Sequence, residues 1–431
     1  MLASLVALTA CESPLVVSSF STPSGGGAGG VSGGAGSGGP MGVGGSELAT
    51  GGVGGTESDA GGAGGSGSGG PQGLPACELA FPATGIATGS AHTCMTQASG
   101  DAFCWGAGVR GQLGDGRNHN SAFPVRVNSA VPFGDIQTLR EATCAASGKN
   151  VLCWGDNSDW ILADSNLGYS STPVEVVGGV ARFAAGDHHV LALLETGALV
   201  AWGRDELGET GLGPAGVNSL LAGVSEVMLP RGNVEVLGLA ATTHHSCLLG
   251  SLGRVLCAGD NSTQQLGTAD AGHAFFMPID STLPFSSLSL STDRSCGVST
   301  DGYLYCWGGN APGYVSGAPE TSKEAQKVGA EHDWIEVSAG EKHLCALQRD
   351  GRMYCIGDNS WGQLGSAPSP PRTEMEEATP GITYSAVSAG NGFTCGIRSG
   401  DAAVICFGLN DVGQLGREPP GSVEPRVVCA R

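Results

Sequence analysis

The sequence is poor in positive charge and in aromatic side chains. It holds 20 basic against 40 acidic residues, a formal net charge of −20, and only 6% aromatic residues. A surface of that sign repels the phosphate backbone of nucleic acids, and no basic patch is present that would bind anionic lipid. The sequence also lacks an apolar run long enough to span a bilayer as a helix. Nucleic acid is therefore not an expected partner, and a membrane is expected only through an attached lipid.

Helical periodicity is equally scarce, because glycine and proline interrupt each candidate stretch. The sequence has instead a repeat of about 50 residues. One position before a recurring glycine is apolar or aromatic in seven places, at steps of 49, 48, 56, 49, 49 and 51 residues: Trp105, Trp154, Trp202, Ala258, Trp307, Ile356 and Phe407. A fixed period in this range indicates a solenoid, a propeller or an array.

Two short segments within each unit predict a β-hairpin. In the unit from Glu341 to Gly365, Cys345 precedes Cys355 by 10 residues, and the intervening Arg349 to Gly351 favours a three-residue turn that ends in glycine. Pairing Cys345 with Cys355 places residue 346 opposite 354 and residue 348 opposite 352. The chain is therefore predicted to be all β.

The full motif resembles a known repeat. It runs Gly, spacer, His, one residue, Cys, turn, Trp-Gly, Asp-Asn and Gly-Gln-Leu-Gly, and it is similar to the regulator of chromosome condensation repeat over roughly residues 77 to 431. The resemblance implies a seven-bladed β-propeller. Members of that family bind small GTPases or, in one secreted case, β-lactamases, so loop-mediated binding is implied as well. Two units depart from the motif, at 160–163 and 313–316, which leaves their loop shape open.

The 15 cysteines favour disulfides. The third unit has Leu191 and Ala201 at the two hairpin positions, so both thiols are absent together, as expected of bonded pairs. A metal needs three or four ligands at one point, whereas these pairs fall on different units. Reduced buried thiols and a metal or redox site remain alternatives, and disulfides would imply an oxidising compartment. The six predicted pairs are Cys94 with Cys104, Cys144 with Cys153, Cys247 with Cys257, Cys296 with Cys306, Cys345 with Cys355, and Cys395 with Cys406.

Cys77 precedes the first unit and Cys429 follows the last, so in a closed ring these two are predicted to form a terminal clasp. The chain-entropy model assigns roughly 6 kcal/mol to a loop of about 350 residues and roughly 2.7 kcal/mol to a ten-residue loop. The clasp is therefore expected to stabilise the fold more than any single hairpin bond.

The N-terminal region divides into two predicted parts. Residues 1–11 form a short apolar leader, and Leu8 to Cys11 resembles a bacterial lipoprotein signal box, in which the cysteine is lipidated. A chance cysteine after an apolar leader is the alternative. Residues 12–76 are rich in Gly, Ser and Ala and are predicted to be a disordered tether, because almost no large apolar side chain offsets the ordering entropy. A phosphate-binding loop is disfavoured, since no Gly-Lys-Ser/Thr follows. Residues 77–431 are the predicted propeller.

No catalytic constellation, metal site or cofactor site is predicted. His92, His189, His245 and His343 precede the hairpin position by two residues and could ring a central channel as metal ligands, but a residue repeated by unit is more often a structural hydrogen bonder. Asp-Asn pairs at 156–157, 260–261 and 358–359 favour turns over calcium sites. The tryptophans are most simply core residues.

We therefore expect a monomer at a bacterial cell envelope, lipid-anchored at the outer membrane or cell surface, that binds a protein, peptide or glycan and is not an enzyme. Guanine-nucleotide exchange by family analogy and a purely structural surface role are the alternatives. The connectors from Gly213 and Ser366 are predicted to be loops, and the acidic stretch Arg372 to Thr379 is expected to favour a basic partner. Solvated linker sequence without a binding role is the alternative for both connectors.

Overall fold

The computed structural model describes residues 18–19, 82–214, 219–230, 234–311, 315–419 and 424–429. These residues form strands joined by turns, with one short 3-10 helix at Ser251–Gly253. The predicted signal segment and all of the predicted tether except residues 18–19 lie outside them. No helix in the described part of the chain is long and apolar enough to cross a bilayer.

Seven antiparallel sheets make up the fold, and each follows the chain as one meander. The first strands of neighbouring sheets contact one another around a ring that closes between β2 (Gly85–Thr88) and β26 (Tyr384–Ala389). The predicted all-β, seven-bladed propeller is confirmed. A further short strand, β1 (Ser18–Ser19), pairs in parallel with β18 (Phe285–Ser291) at Ser289 and Leu290. The blades are β2 Gly85–Thr88, β3 His92–Thr96, β4 Ala102–Gly106 and β5 Ser121–Arg126; β6 Ile136–Thr138, β7 Ala142–Ser147, β8 Asn150–Asp156 and β9 Tyr169–Val177; β10 Val180–Ala185, β11 His189–Leu194, β12 Leu199–Asp205 and β13 Ser219–Val227; β14 Val236–Ala241, β15 His245–Gly250, β16 Val255–Asp260 and β17 Gly272–Pro278; β18 Phe285–Ser291, β19 Arg294–Ser299, β20 Leu304–Gly309 and β21 Thr321–Lys327; β22 Trp334–Ala339, β23 His343–Gln348, β24 Met353–Asn359 and β25 Ser369–Glu377; β26 Tyr384–Ala389, β27 Phe393–Arg398, β28 Val404–Gly408 and β29 Arg426–Val427.

The central hairpin of each blade has the predicted register. Cys345 pairs with Cys355 and Ala346 with Tyr354, and the turn ends at Gly351, whose φ of +85° lies in the left-handed region that glycine tolerates. The paired positions Leu191 and Ala201 of blade 3 occupy the same register without sulfur.

The core lies between blades. Each of seven apolar clusters joins two neighbouring blades, for example Trp154 with Phe133 between blades 1 and 2. The cluster at the ring closure packs Met95 and Trp105 of blade 1 against Phe393 of blade 7. Burial of these flat sheet faces against each other is what holds the blades in a ring.

The prediction that the connectors from Gly213 and Ser366 are loops is wrong where they contain the outer strands β13 and β25, each of 9 residues. β25 pairs with β24 from Ser369 to Glu377. β25 is half exposed and shows no regular alternation of buried and exposed side chains, whereas inner strands such as β15 and β19 are buried along their whole length. The prolines Pro370 and Pro371 also suggested a loop, although proline is tolerated on an edge strand.

The second unit keeps the repeated loop despite its different sequence. Trp160 and Ala163 take the places of two glycines and adopt φ values of +58° and +49°. The Oδ1 atom of Asn157 accepts a hydrogen bond from the N–H of Leu162 at 2.7 Å, as the equivalent asparagines do elsewhere. The loop shape is therefore set by the asparagine and not by the glycines.

Candidate interaction face

Two sets of loops share one end of the propeller, because each blade is an antiparallel meander. The loops after the first and third strands lie at this end, here called the loop face. The opposite end, called the hairpin face, carries the turns between the second and third strands and the links between blades. The loop face therefore holds the Asp-Asn segments and the residues that directly precede the repeated histidines.

A cavity of about 410 Å³ opens on the loop face between blades 5 and 6. Three of its lining residues are carboxylates and two are cations, so its lining is acidic. Of these positions, the sequence pattern marked only Asp358, as part of a predicted Asp-Asn turn. The signal that could have found Glu341 and Lys342 is the charged pair that directly precedes His343. The lining residues are Thr292, Asp293, Arg294, Ala311, Glu341, Lys342 and Asp358.

Among the acids of this cavity, Asp293 is directly paired with a cation, whereas Glu341 is buried beside other acids. Arg294 is 2% exposed and donates from Nε and Nη2 to Oδ1 of Asp293, at 3.0 and 2.7 Å. Burial raises the pKa of Glu341; the charges of Lys342 and Arg294 oppose this shift, while those of Asp293 and Asp358 add to it. A cation supplied by a partner would relieve this repulsion, so the cavity favours a lysine or arginine side chain.

Trp361 stands on the same face at the tip of the adjacent blade 6 loop. Its side chain is 51% exposed, whereas the repeated Trp105, Trp154 and Trp202 are fully buried. It lies beside Gly392 of blade 7. An exposed tryptophan on a rigid loop is the residue type that most often anchors a protein partner.

A second cluster of charged side chains lies on this face, and its members bond mainly to residues of neighbouring blades. His188 Nδ1 lies 2.6 Å from Asp159 Oδ2, and the Thr243 hydroxyl donates to Asp187 at 2.8 Å. These contacts link blades 2, 3 and 4, so their first role is to fix neighbouring loops. The cavity between blades 5 and 6 is the better candidate for a partner's charge.

The repeated histidines bond neighbouring blades and do not converge. Each Nε2 atom lies 2.6 to 2.9 Å from a hydroxyl of the next blade. The hydroxyl of Thr394 in turn donates to the carbonyl of Gln363, so the histidine acts as donor. Burial lowers the pKa of His92 to about 4 and of the other three to about 3, so all are neutral near pH 7. The pairs are His92 with Thr143, His189 with Ser246, His245 with Ser295 and His343 with Thr394.

The buried tryptophans also form hydrogen bonds between neighbouring blades. The Nε1–H groups of Trp105 and Trp154 donate to the carbonyls of Gln414 and Gln112 on the preceding blade, each at 2.9 Å. The first of these bonds crosses from blade 1 to blade 7 and so closes the ring. The tryptophans are core residues with a second, hydrogen-bonding role.

Polar side chains of the central channel also serve the fold. Ser338 accepts a hydrogen bond from the N–H of Ala389 on the next blade at 2.9 Å. Glu336 accepts one from Val387 at 3.2 Å, and burial raises its pKa to about 8. A cavity of about 550 Å³ at the hairpin-face mouth of the channel is lined partly by these edges. The carboxyl group of Glu336 is therefore explained as a strand-edge acceptor.

The Asp-Asn segments use their side chains to shape turns. Asn359 Oδ1 accepts from the N–H of Leu364 at 3.0 Å, and its Nδ2 donates to the carbonyl of Ala367 at 2.9 Å. Asp358 accepts from the N–H of Ser360 at 3.3 Å. Within the described ranges, no group of three or more His, Cys, Asp or Glu side chains is placed to hold a metal ion.

The cysteines of the central hairpins are bonded in the six predicted pairs, each with a Cα–Cα distance of 4.1 Å. Every one of them lies in an apolar cluster between blades, so these bonds belong to the core and not to the interaction face. The bonded pairs are Cys94 with Cys104, Cys144 with Cys153, Cys247 with Cys257, Cys296 with Cys306, Cys345 with Cys355, and Cys395 with Cys406.

The remaining three cysteines are only partly covered by the structure. Cys11 and Cys77 lie outside the described residues, so lipidation and the terminal clasp stay predictions. Cys429 lies within them and is disulfide-bonded.

Sequence comparison finds the regulator of chromosome condensation (RCC1) repeat at residues 99–141, 180–209 and 334–363. This chain therefore contains RCC1 repeats within a seven-bladed β-propeller. Human E3 ubiquitin-protein ligase HERC2 is 27% identical over 200 residues, which are 43% of this chain and 4% of that protein. The ultraviolet-B receptor UVR8 of Arabidopsis thaliana is 30% identical over 141 residues, which are 30% of this chain and 31% of the receptor.

Solved structures agree on the fold. Prp20p from Saccharomyces cerevisiae, whose binding properties to Gsp1p and histones have been described, aligns with a TM-score of 0.67 at 18% identity. The alignment covers 76% of this chain and 85% of that one. At this identity the likeness concerns the fold alone, which is the propeller that carries the loop face.

Proposed function

We propose that this RCC1-repeat propeller is a membrane-anchored, extracytoplasmic interaction module that binds a protein through its loop face and has no catalytic activity. The observation that carries the proposal is the acidic cavity between blades 5 and 6, next to the exposed Trp361. A rigid propeller that presents charge and an aromatic anchor on short loops is suited to recognition.

The partner we propose is a protein with a lysine or arginine that enters the cavity. Asp293, Glu341 and Asp358 line it, and the whole chain carries a net charge of −20, so a basic partner is attracted at long range as well as on contact. The Cys11 signal box and the disulfide-bonded hairpins support a location outside the cytoplasm. A guanine-nucleotide exchange role would need a cytosolic partner, which that location disfavours.

The binding proposal is tested by removing charge from one face at a time. Full-length protein, immobilised and exposed to envelope extract, is compared with the variant Asp293→Asn/Glu341→Gln/Asp358→Asn. The matched control removes three exposed acids from the hairpin face, Glu235→Gln/Asp301→Asn/Glu331→Gln. We expect the loop-face variant to lose the retained protein and the control to keep it, with a larger difference at low salt. Equal retention by both variants would reject the loop face.

The anchor is tested separately by labelling cells with an alkyne fatty acid. The wild type should be labelled and Cys11→Ser should not. Equal labelling of the two proteins would reject lipidation at Cys11 without bearing on the loop face.

A further inference from the structure

Five of the twelve large apolar side chains that are exposed in the described residues lie on or directly after the outer strands of blades 3 and 4. On β13, Leu220 is 41% and Val224 37% exposed, and Met228, directly after the strand, is 72% exposed. On β17, Phe275 and Met277 are each 45% exposed. The outer strands of blades 5 and 6, β21 and β25, carry no large apolar side chain exposed to this degree.

The contrast between β13 and β25 is sharp because the strands have equal length, 9 residues each. Each is the last strand of its sheet, so within the described residues one edge of each has no strand beside it. Protein sheets protect such edges with charge and proline. β25 has both, in the sequence Ser-Pro-Pro-Arg-Thr-Glu-Met-Glu-Glu, whereas β13, Ser-Leu-Leu-Ala-Gly-Val-Ser-Glu-Val, has Glu226 as its one charge and no proline.

The exposed side chains in the second half of β13 follow the two-residue period of a strand, since Val224, Glu226 and Met228 are exposed whereas Val227 is buried. Leu220 is also exposed and lies before the register shift that falls between Leu221 and Ser225 in the pairing of β13 with β12. A free backbone edge with apolar side chains at alternate positions is the arrangement that accepts an added strand, since the main chain supplies affinity and the side chains supply specificity.

The charges of the chain and of Glu226 indicate which kind of strand can pair with the β13 edge. A second copy of the chain would bring together two molecules of net charge −20. Antiparallel self-pairing centred on Gly223 would also place Leu220 opposite Glu226, which matches an apolar group with a charge. A segment that is apolar at alternate positions and carries lysine or arginine opposite Glu226 meets neither obstacle.

We propose that the β13 edge is a second docking site, which accepts an extended segment of another protein by strand addition. The segment is apolar at alternate positions and carries one basic residue opposite Glu226. This site lies on the rim of blade 3 and not on the loop face, so it can be occupied whatever binds the cavity between blades 5 and 6.

The test uses a synthetic ten-residue peptide that alternates valine and threonine around one lysine, and a second peptide with glutamate in place of the lysine. Binding to full-length protein is followed by fluorescence anisotropy and by hydrogen exchange. We expect the lysine peptide to bind at least about tenfold more tightly than the glutamate peptide and to protect amides of β13. Failure of both peptides to bind, or protection elsewhere, would overturn the proposal.

A matched pair of variants tests the β13 edge by giving it charged side chains of the kind that β25 already carries. Leu220→Lys/Val224→Lys should weaken peptide binding by at least about tenfold, while the control Pro371→Lys/Thr373→Lys on β25 should leave it unchanged. Intact disulfide maps of both variants verify folding. Equal binding by both double variants would overturn the site, as would dimerisation of the wild type that the β13 change abolishes. The loop-face triple variant should still bind the peptide, which separates failure of this proposal from failure of the proposed function.

Discussion

Blade 3 and blade 6 build the same central hairpin from different chemistry. In blade 6, Cys345 and Cys355 are opposite each other and bonded. In blade 3, Leu191 and Ala201 hold the same two places and are fully buried without a covalent bond. Apolar packing alone is therefore sufficient for the register, and the disulfides add stability to a hairpin that its turn and its burial already specify.

The two blades also differ in the loop that follows the third strand. Gln363 Nε2 donates to Asp358 Oδ2 at 2.7 Å in blade 6. Arg204 and Glu209 replace this pair in blade 3, where Glu209 accepts from the N–H of Leu207 at 2.6 Å and burial raises its pKa to about 7. Blade 3 thus has the buried acid Glu209 where blade 6 has the neutral donor Gln363, and we expect blade 3 to be the blade that opens first.

The largest expected effect on stability comes from replacing the bonded cysteines of blade 6 with the leucine and alanine found in blade 3. The variant Cys345→Leu/Cys355→Ala removes one ten-residue crosslink and should lower the free energy of unfolding by about 2 to 3 kcal/mol. Chemical denaturation under non-reducing conditions measures the loss. Hydrogen exchange should show new opening of β23 and β24 with the other blades unchanged; an unaltered midpoint would mean that leucine packing fully replaces the bond.

The hairpins could be predicted because their signals are local. The cysteine spacing and the turn at Arg349 to Gly351 fix the register of one hairpin, and repetition carries it to the other blades. The outer strands could not be predicted in the same way. β25 shows no alternation, and the pairing between β24 and β25 shifts register near Gly357, so its pattern contains no regular period.

The candidate site was beyond sequence reasoning for a different reason. Asp293, Glu341 and Asp358 come from two blades and meet only when the ring forms. The role of the histidines was open for the same reason, since the hydroxyl that His343 contacts lies 51 residues away. Repetition predicts that a contact recurs, but it does not identify the partner.

The second prediction adds the missing crosslink to blade 3. Leu191→Cys/Ala201→Cys restores the pattern of the other blades at a pair that is already in register, so strain should be small. We expect the free energy of unfolding to rise by about 2 kcal/mol and hydrogen exchange of β11 and β12 to slow. The single variant Leu191→Cys, which cannot form the bond, is the control, and it should be no more stable than the wild type. No gain of the double variant over this control would mean that blade 3 does not limit stability.

The smallest expected effect concerns Asp205, which takes the place of Asn359. Asp205 Oδ1 accepts from the N–H of Thr210 at 3.0 Å, but its buried Oδ2 has no hydrogen-bond partner. Burial raises the pKa of Asp205 above its ordinary value of 3.8. The folded state therefore prefers the protonated acid, whose stabilising contribution is complete below pH 3.8 and is lost as the pH rises through the folded-state pKa.

Asp205→Asn removes that ionisation and supplies an amide donor, which in blade 6 holds the loop at Ala367. We expect the free energy of unfolding to rise by about 1 kcal/mol at pH 8, with a smaller gain at pH 4, as measured by denaturant titration at both values. The reciprocal control, Asn359→Asp, should destabilise blade 6 more at pH 8 than at pH 4. An equal change at both pH values would show that the lost hydrogen bond, and not the buried charge, distinguishes the two loops.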